Sequence, residues 1–430
     1  MEAVKTKHKK SIWGWVGYDM GNSVFSTTVM AGFFPLFFKS YWSQGTDAAM
    51  STARLGLGVS LASLMVALAA PVLGSLSDAA GLKRPLLLSF ALFGALMTAL
   101  LAFIPAGGWA WAVLAYGAAV LGFYGGNVFY DALLPGLAPS GQRDGISGLG
   151  YAMGYLSGGL VFGLNVAMVQ WPSSFGFSGT AEAVQASFLV AAACWAAAAW
   201  ICYRLVPEPP ARTGGPWAFK QSWAELARLW AELRCHRPVW MFLIAYWLYI
   251  DVVDTLVVMA VDYGMSLGFE SGDLIKALLM VQLIGFPSAI LVSKAGQKWG
   301  VRRAIFVCLA VYAFVCLWAV GLKEQWEFFL LAGLIGLVQG GVQALSRSYY
   351  ADLIPAEKAG EFFGFYNMLG KFATILGPAM IALVGLSARA LLPEGVGGAH
   401  LASRIGFASL LLPLLAGAYI FYRSQPVAET

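Results

Sequence analysis

The stretch GSLSDAAGLKRPL, Gly74–Leu86, lies between two long apolar runs, and a related stretch recurs in the other half of the chain. The second copy reads SKAGQKWGVRRAI, Ser293–Ile305, and it also separates two apolar runs. Gly81 of the first copy corresponds to Gly300 of the second, and a pair of basic residues stands near each glycine. An internal repeat of this kind, in a chain rich in apolar segments, predicts two related helical bundles.

The composition places both bundles in a membrane. Of the 430 residues, 59% are hydrophobic and 11% are charged, whereas roughly 25% of the residues of a soluble domain are charged. So few charges cannot cover a water-exposed surface, and so apolar a chain cannot stay disordered. The five cysteines form no CxxC pair, and the three histidines lie outside the apolar runs. We therefore expect no disulfide framework, metal site or cofactor, and no nucleic-acid partner.

Twelve apolar runs are long enough to cross a bilayer as helices. They lie near 12–38, 55–77, 86–104, 109–131, 146–170, 184–204, 238–262, 274–293, 304–322, 327–349, 361–386 and 405–422. The predicted fold class is therefore an all-α polytopic membrane protein with twelve transmembrane helices in two six-helix bundles. If the helices cross alternately, most of the 27 Lys and Arg residues fall on one side. By the positive-inside rule, that side is the cytoplasm and holds both termini.

The longest loop divides the chain into the two bundles. We predict an N-terminal bundle over residues 1–206, a cytoplasmic linker over 207–237 and a C-terminal bundle over 238–430. Within the linker, apolar and aromatic residues recur every three or four positions over Trp217–Arg234, with charged residues on the other faces. This pattern predicts an amphipathic helix that lies on the cytoplasmic leaflet or against the bundle.

Charged residues are costly within the hydrocarbon layer, so their positions indicate function. Those expected deep in the membrane lie on helices 1, 7, 10 and 11. Helices 3, 6, 9 and 12, as delimited above, contain no Asp, Glu or Lys. Candidate proton-coupling residues are Asp251, Asp254 and Asp19, because carboxylates in a low-dielectric cavity can bind and release protons near neutral pH. Asp19 could equally act as a gate residue that pairs with Arg347.

Polar residues at helical spacing accompany these charges and provide candidate solute-binding groups. They are Asn22, Asn127, Tyr130, Tyr155, Tyr249, Gln339, Gln343, Asn367 and Lys371. Lys371 would either hold a coupling carboxylate or bind the carboxylate of the solute. Candidate gate residues are Asp78, Gly81, Lys83, Arg84, Asp131 and Arg347. Asp78 can meet the positive N-terminal end of a neighbouring helix, and Lys83 and Arg84 are expected to face anionic lipid.

The stretch that includes Gly74, Asp78, Gly81 and Arg84 resembles the loop between helices 2 and 3 of the major facilitator superfamily. Within it, three segments resemble the vacuole effluxer family of autophagy-related vacuolar amino-acid exporters and their bacterial relatives. These segments are WGWVGYDMGNSVFSTTV (Trp13–Val29), RDGISGLGYAMGYLSGG (Arg143–Gly159) and LYIDVVDTL (Leu248–Leu256). In the last segment the family tends toward an Asn-Asp-Gly run, where this chain has Ile250, Asp251 and Val252. The resemblance implies twelve helices and a bacterial inner-membrane location.

These observations predict a secondary active transporter rather than an enzyme. It would move a small polar or zwitterionic solute, such as an amino acid, by alternating access and with protons or another ion as the coupling species. We expect membrane lipids around it and a monomeric state. The alternatives are an exporter of an amphiphilic or lipid-like compound and a membrane receptor that transports nothing.

Overall fold

The computed structural model describes residues 2–44, 64–66, 68–211, 237–266, 271–322, 324–391 and 396–424. Helices joined by short turns make up these residues, with no β-strand among them. We label the helices α1 (Glu2–Val24), α2 (Leu64–Ala80), α3 (Lys83–Leu100), α4 (Trp109–Leu137), α5 (Arg143–Gln170), α6 (Thr180–Leu205), α7 (Arg237–Ser266), α8 (Ser271–Trp299), α9 (Val301–Gly321), α10 (Gln325–Leu353), α11 (Ala359–Leu391), α12 (Val396–Ser409) and α13 (Leu411–Arg423).

Each predicted span from the third to the tenth has one matching helix, and the helix often begins or ends a few residues beyond the predicted limits. The fourth span is one example, because α4 continues past the predicted end through Pro135 to Leu137. Arg143 donates hydrogen bonds to the carbonyls of Ala138 and Pro135, at 2.9 and 3.2 Å. These bonds satisfy acceptors that a helix end leaves without a partner. The predicted amphipathic helix Trp217–Arg234 lies outside the described residues.

Helix α1 does not end at Val24 but widens. It continues through the π-helical turns Phe25–Phe33 and Phe38–Trp42, which flank a short α-helical stretch, Phe34–Phe37. Most of the aromatic side chains of this stretch are buried, and Phe34 stacks on Tyr116 of α4 with 3.7 Å between ring centroids. Wide helical turns of this type often occur near functional sites.

The surface of the described helices is suited to lipid. Nine helices of the described part are long and apolar enough to cross a membrane. Leu96, Trp111, Leu160 and Leu317 are each more than half exposed, although they are large and apolar. Buried carboxylates accompany this apolar surface, as in an integral membrane protein. The chain is therefore an all-α polytopic membrane protein, and the helices are consistent with twelve spans.

The chain divides into two compact units. Unit 1 contains Met1–Ser222 together with Ala356–Met368, and unit 2 contains Trp223–Pro355 together with Leu369–Thr430. The start of α11 therefore belongs to unit 1 and the remainder of that helix to unit 2. The predicted linker over 207–237 falls mostly outside the described residues, so the predicted domain limits stay a prediction.

Corresponding helices pack in the two units. In unit 1, α3 packs on α4 and α1 packs on α6. In unit 2, α9 packs on α10 and α7 packs on α13. These pairs match if each half of the chain contributes six helices in the same order. The packing therefore agrees with the internal sequence repeat.

In each half of the chain, an arginine at the start of one helix packs on an aromatic residue near the end of another. Arg84 at the start of α3 lies 4.8 Å from the ring centroid of Tyr203 and donates to the Tyr203 carbonyl near the end of α6. Arg302 at the start of α9 lies 4.7 Å from the ring of Phe421 and donates to the Phe421 carbonyl at 2.8 Å, near the end of α13. Both guanidinium groups combine a cation–π contact with a hydrogen bond to a helix-end carbonyl.

The repeated glycines adopt the same unusual backbone conformation. Gly81 has φ +64° and Gly300 has φ +92°. Among the described residues, every positive φ belongs to a glycine, since a Cβ atom disfavours this region. Each glycine ends one helix and lets the next one begin within a few residues.

A close crossing of α3 and α4 provides a stability test in unit 1. A Cβ atom on Gly122 would lie 2.6 Å from the Cα of Gly94 and 2.7 Å from the carbonyl oxygen of Phe90. We expect Gly122→Ala to destabilise the protein by about 1–3 kcal/mol, because the two backbones must separate. Thermal unfolding in detergent would measure this loss.

The matched control is Gly17→Ala in α1, where an added Cβ meets nothing within 4 Å. Alanine favours a helix over glycine, so this variant should unfold at the same temperature as the parent protein or slightly higher. Equal melting temperatures for the two variants would contradict a tight α3–α4 crossing.

Candidate functional site

A buried carboxylate in unit 1 is held by aromatic side chains. Asp19 of α1 is 6% exposed, and its Oδ2 accepts a hydrogen bond from the Tyr130 hydroxyl of α4 at 2.9 Å. The Tyr130 ring stacks on Trp15, with 4.4 Å between centroids, and the Trp15 indole N–H donates to the Tyr130 carbonyl at 2.9 Å. Gly150 of α5 leaves room for this pair, because a Cβ there would lie 2.8 Å from Asp19 Oδ2.

One turn further along α1, two asparagine side chains meet. Asn22 donates from Nδ2 to the Oδ1 of Asn127 in α4 at 3.0 Å. Asn22 is buried, and its own Oδ1 accepts no hydrogen bond within the described residues. Asn127 is half-buried. The two amides thus place hydrogen-bonding capacity beside the Asp19 carboxylate.

A second carboxylate of α4 is paired with the start of α11. Asn367 donates from Nδ2 to Asp131 Oδ2 and to the Phe363 carbonyl, each at 3.0 Å. Both Asn367 and Asp131 belong to unit 1. The structure therefore joins one predicted solute-binding residue to one predicted gate residue, a pairing that their sequence positions did not suggest.

The repeated loop of unit 1 caps a helix. Asp78, at the end of α2, accepts hydrogen bonds from the backbone N–H groups of Gly360 and Glu361, at 3.0 and 2.9 Å. These amides lie in the first turn of α11, where N–H groups have no acceptor within the helix and the dipole favours an anion. Lys83 Nζ lies 2.7 Å from Asp78 Oδ1. The expectation that Lys83 faces lipid was wrong, because it is 3% exposed and forms this buried ion pair.

Sequence reasoning missed a second carboxylate beside Asp78. Glu361 is 1% exposed, and its Oε1 accepts a hydrogen bond from the Ser75 hydroxyl at 3.2 Å. The backbones also approach closely here, since a Cβ on Gly360 would lie 2.5 Å from the Gly74 carbonyl oxygen. Its position at the start of a predicted span could have indicated this carboxylate, because glutamate is rarely buried there without a partner.

Glu208 is a further residue that the sequence did not single out. Its two carboxylate oxygens accept hydrogen bonds from the backbone N–H groups of Lys83 and Arg84, each at 2.8 Å. Partial burial raises the pKa of the Glu208 carboxyl above its usual value, while these N–H donors and the nearby basic side chains act in the opposite direction. Glu208 thus caps α3 and links the segment after α6 to the repeated loop.

In unit 2, the side chain of Asp251 is fully buried in α7. Its Oδ1 accepts a hydrogen bond at 2.9 Å from the backbone N–H of Gly377, in the middle of α11. Among the described residues, Asp251 takes part in no ion pair, and its Oδ2 accepts no hydrogen bond. Gly377 is followed by Pro378. An uncompensated carboxylate within a membrane-spanning helix is costly, and such groups mark functional sites.

The other predicted residues of unit 2 are distributed along α7 and α10. Gln343 donates from Nε2 to Asp254 Oδ1 at 3.4 Å, a long hydrogen bond. Tyr249 is fully buried and shares a 2.6 Å hydrogen bond with the Ser346 hydroxyl. Arg347 is 2% exposed, and Gln339 has a buried Oε1 without a partner among the described residues.

For two predicted solute-binding residues, Tyr155 and Lys371, the structure gives a position on a helix. Tyr155 lies half-buried on α5. Lys371 lies on α11 in the part of the helix whose side chains are outside the described residues. In the part of the chain that the structure describes, no three His, Cys, Asp or Glu side chains are grouped to hold a metal ion.

The fold is that of the major facilitator superfamily. The structure is similar to that of the human organic anion transporter MFSD10, with a TM-score of 0.73 and 16% sequence identity over 96% of this chain and 99% of that one. An uncharacterized MFS-type transporter, YxiO, of Bacillus subtilis is 35% identical over 380 residues, which are 88% of each chain. The fold and the buried charges thus define a multi-pass membrane transporter.

The family within this class is also established. Residues 7–385 match the family described as vacuole effluxer Atg22 like. Autophagy-related protein 22 of Yarrowia lipolytica is 25% identical over 270 residues, which span 56% of this chain and 45% of the yeast protein. The chain belongs to the vacuole effluxer Atg22-like family.

The contact between Asp78 and α11 can be tested by amide hydrogen exchange. We expect Asp78→Asn to speed exchange in a peptide covering Gly360 and Glu361 by about tenfold or more, because hydrogen bonds to a charged acceptor contribute about 1.5–3 kcal/mol each. Mass spectrometry of the purified protein would measure this change.

Asp273→Asn is the matched control, because Asp273 pairs with the exposed Lys276 at the start of α8. Exchange at Gly360 and Glu361 should be the same in this variant as in the parent protein. Unchanged exchange in Asp78→Asn would mean that this carboxylate does not hold the start of α11 in solution.

Proposed function

We propose that the protein is a proton-coupled secondary transporter of a small polar or zwitterionic, amino-acid-like solute, which it moves by alternating access. We further propose a monomer in a bacterial inner membrane, surrounded by lipid, with both termini in the cytoplasm. The buried Asp251 carboxylate is the observation that carries the coupling proposal. Membership of the vacuole effluxer Atg22-like family and the identity with a bacterial relative support transport in a bacterial membrane.

Asp251 suits a coupling role because its ionised form is poorly compensated. The carboxylate lies in α7 within a membrane span and has the Gly377 N–H as its hydrogen-bond donor. Asp254, three residues on, provides a second carboxylate close to it. Two carboxylates near each other in a medium of low dielectric disfavour double ionisation, so one of them readily holds a proton.

The solute subsite that we propose in unit 1 contains the amides of Asn22 and Asn127 and the Asp19–Tyr130 pair. An ammonium group would be recognised by the Asp19 carboxylate, and amide oxygens would accept its remaining hydrogens. Asn22 Oδ1, which has no donor within the described residues, is one such acceptor. A small zwitterion matches this combination of groups better than an apolar compound does.

The gate that we propose is the Asp78 loop, with Gly81, Lys83, Arg84 and the start of α11. Its carboxylate, Asp78, is bonded to the backbone N–H groups of Gly360 and Glu361 and to Lys83 of the same unit. A carboxylate whose hydrogen-bonding capacity is used in this way has little left to bind a solute. This arrangement supports a role in stabilising one conformation.

The coupling role predicts a specific loss in Asp251→Asn. In proteoliposomes with an imposed pH gradient, this variant should lose solute accumulation against a gradient, because its amide cannot carry the proton. Exchange of solute across the membrane without a pH gradient should continue. Asp254→Asn and the double variant would show whether the two carboxylates share the role.

Asp273→Asn again provides the control, since it removes a carboxylate of the same unit that is paired with the exposed Lys276. Its pH-driven accumulation should equal that of the parent protein. Full accumulation in the double variant Asp251→Asn with Asp254→Asn would refute proton coupling through this pair.

The solute class can be found by thermal unfolding of the purified protein with amino acids, other metabolites and hydrophobic cations. We expect an amino acid to raise the melting temperature. In Tyr130→Phe, the amino-acid concentration needed for the same rise should be about tenfold higher or more. This substitution removes the hydroxyl that positions Asp19, which corresponds to about 1–2 kcal/mol.

Tyr312→Phe is a suitable control, because it removes a buried hydroxyl from α9 in the other unit. It should leave the solute response unchanged. Stabilisation by hydrophobic cations, with no response to amino acids, would instead favour export of an amphiphilic compound.

A further inference from the structure

The middle of α11 contains a break in the regular pattern of helical hydrogen bonds. Pro378 has no N–H group, so the carbonyl of Thr374, four residues earlier, loses its helical donor. The N–H of the preceding Gly377 donates to the Asp251 side chain at 2.9 Å. A backbone carbonyl without its usual helical donor is therefore available within the membrane, in the turn of α11 that precedes Gly377.

Two side-chain oxygens of α7 lie near this break without a hydrogen-bond partner. Asp251 Oδ2 and Thr255 Oγ1 are both buried and without a hydrogen-bond partner in the described part of the chain. Asp251 is 0% exposed and Thr255 is 2% exposed. The two residues lie four positions apart, on one face of the helix. Gly377 packs directly against Thr255, and a Cβ at position 377 would collide with the Thr255 side chain.

We propose that Asp251, Thr255 and the backbone carbonyl freed by Pro378 form a binding site for a sodium ion, which occupies it in place of the coupling proton. This inference rests on the proposed function, since it assigns a second ion to the carboxylate that we propose as the proton carrier. Asp254 is the other ionisable group described near it.

The donor set matches the chemistry of a small hard cation. Such ions prefer oxygen ligands from carboxylates, hydroxyls and carbonyls. In several transporter folds, carbonyls from interrupted helices bind the coupling ion near the middle of the membrane. A proton needs one carboxylate oxygen, whereas a carboxylate, a hydroxyl and a freed carbonyl together supply three oxygens of different origin.

The site can be tested without knowledge of the solute. Thermal unfolding of the full-length protein in detergent would be measured in NaCl, KCl or choline chloride at constant ionic strength. At pH 8.5 we expect sodium to raise the melting temperature saturably by about 2–4 °C relative to potassium. At pH 5.5 the sodium effect should shrink, because protons compete for Asp251.

Variants separate the ion site from a general salt effect. Thr255→Val should raise the sodium concentration for half-maximal effect at least tenfold, Thr255→Ser should restore it, and Asp251→Asn should abolish it. The control Thr98→Val removes a buried hydroxyl that bonds to the Gly94 carbonyl of α3, and it should leave the sodium response intact.

Coinciding NaCl and KCl melting curves for the parent protein at pH 8.5 would overturn the sodium site. So would a sodium effect that Thr255→Val leaves unchanged. Neither result would contradict the proposed proton coupling, which is tested separately by pH-driven accumulation and by its loss in Asp251→Asn. A sodium response with no pH-driven accumulation would instead support the ion site and refute the proton as the coupling ion.

Discussion

A polar group within the hydrocarbon layer must find its partner inside the protein, because lipid offers no hydrogen bond and solvates no charge. This constraint explains where the few charges of the chain lie. Asp19 is held by a tyrosine hydroxyl, Asp78 by two backbone N–H groups and a lysine, and Asp131 by an asparagine. Among these carboxylates, Asp251 is the one with a buried oxygen, Oδ2, that accepts no hydrogen bond within the described residues. Because such a carboxylate is costly within a membrane span, Asp251 is the strongest candidate for a functional residue.

The same constraint made the fold readable from the sequence. Apolar runs of the length of a bilayer, and a repeated loop with Gly81 and Gly300, predicted helices, and from the third to the tenth span the structure has one helix within a few residues of the expected limits. The first helix begins earlier than predicted, and the last predicted span corresponds to two helices, α12 and α13. Both glycines have positive φ, a conformation that glycine adopts more readily than other residues. The extension of α4 through Pro135 was missed, because the carbonyls of Pro135 and Ala138 are satisfied by the Arg143 side chain at the start of the next helix.

From the sequence, many residues of the candidate site could be predicted, but the contacts between them could not. Costly residues such as Asp19 and Asp251 stand out in any apolar run, so the sequence identifies them. Their partners do not stand out. Gly377 binds through its backbone N–H, which the pattern of side chains in the sequence does not reveal. Glu208 lies outside the predicted helices. Glu361 lies at the start of a predicted span, a position that can indicate a buried carboxylate but not its partner. Pairing depends on which helix surfaces meet, and helical spacing within one helix carries no information about that.

The two copies of the repeated loop share a backbone turn but differ at the position of Asp78. Both keep the glycine turn, and in both halves an arginine at the start of the following helix stacks on an aromatic ring of the last. At the position of Asp78, however, the second copy has Gln297. A neutral amide cannot act as an anionic cap for a helix. The two halves therefore share one backbone shape at the glycine turn, while the carboxylate that binds the start of another helix is present at this position in the first half and absent from it in the second.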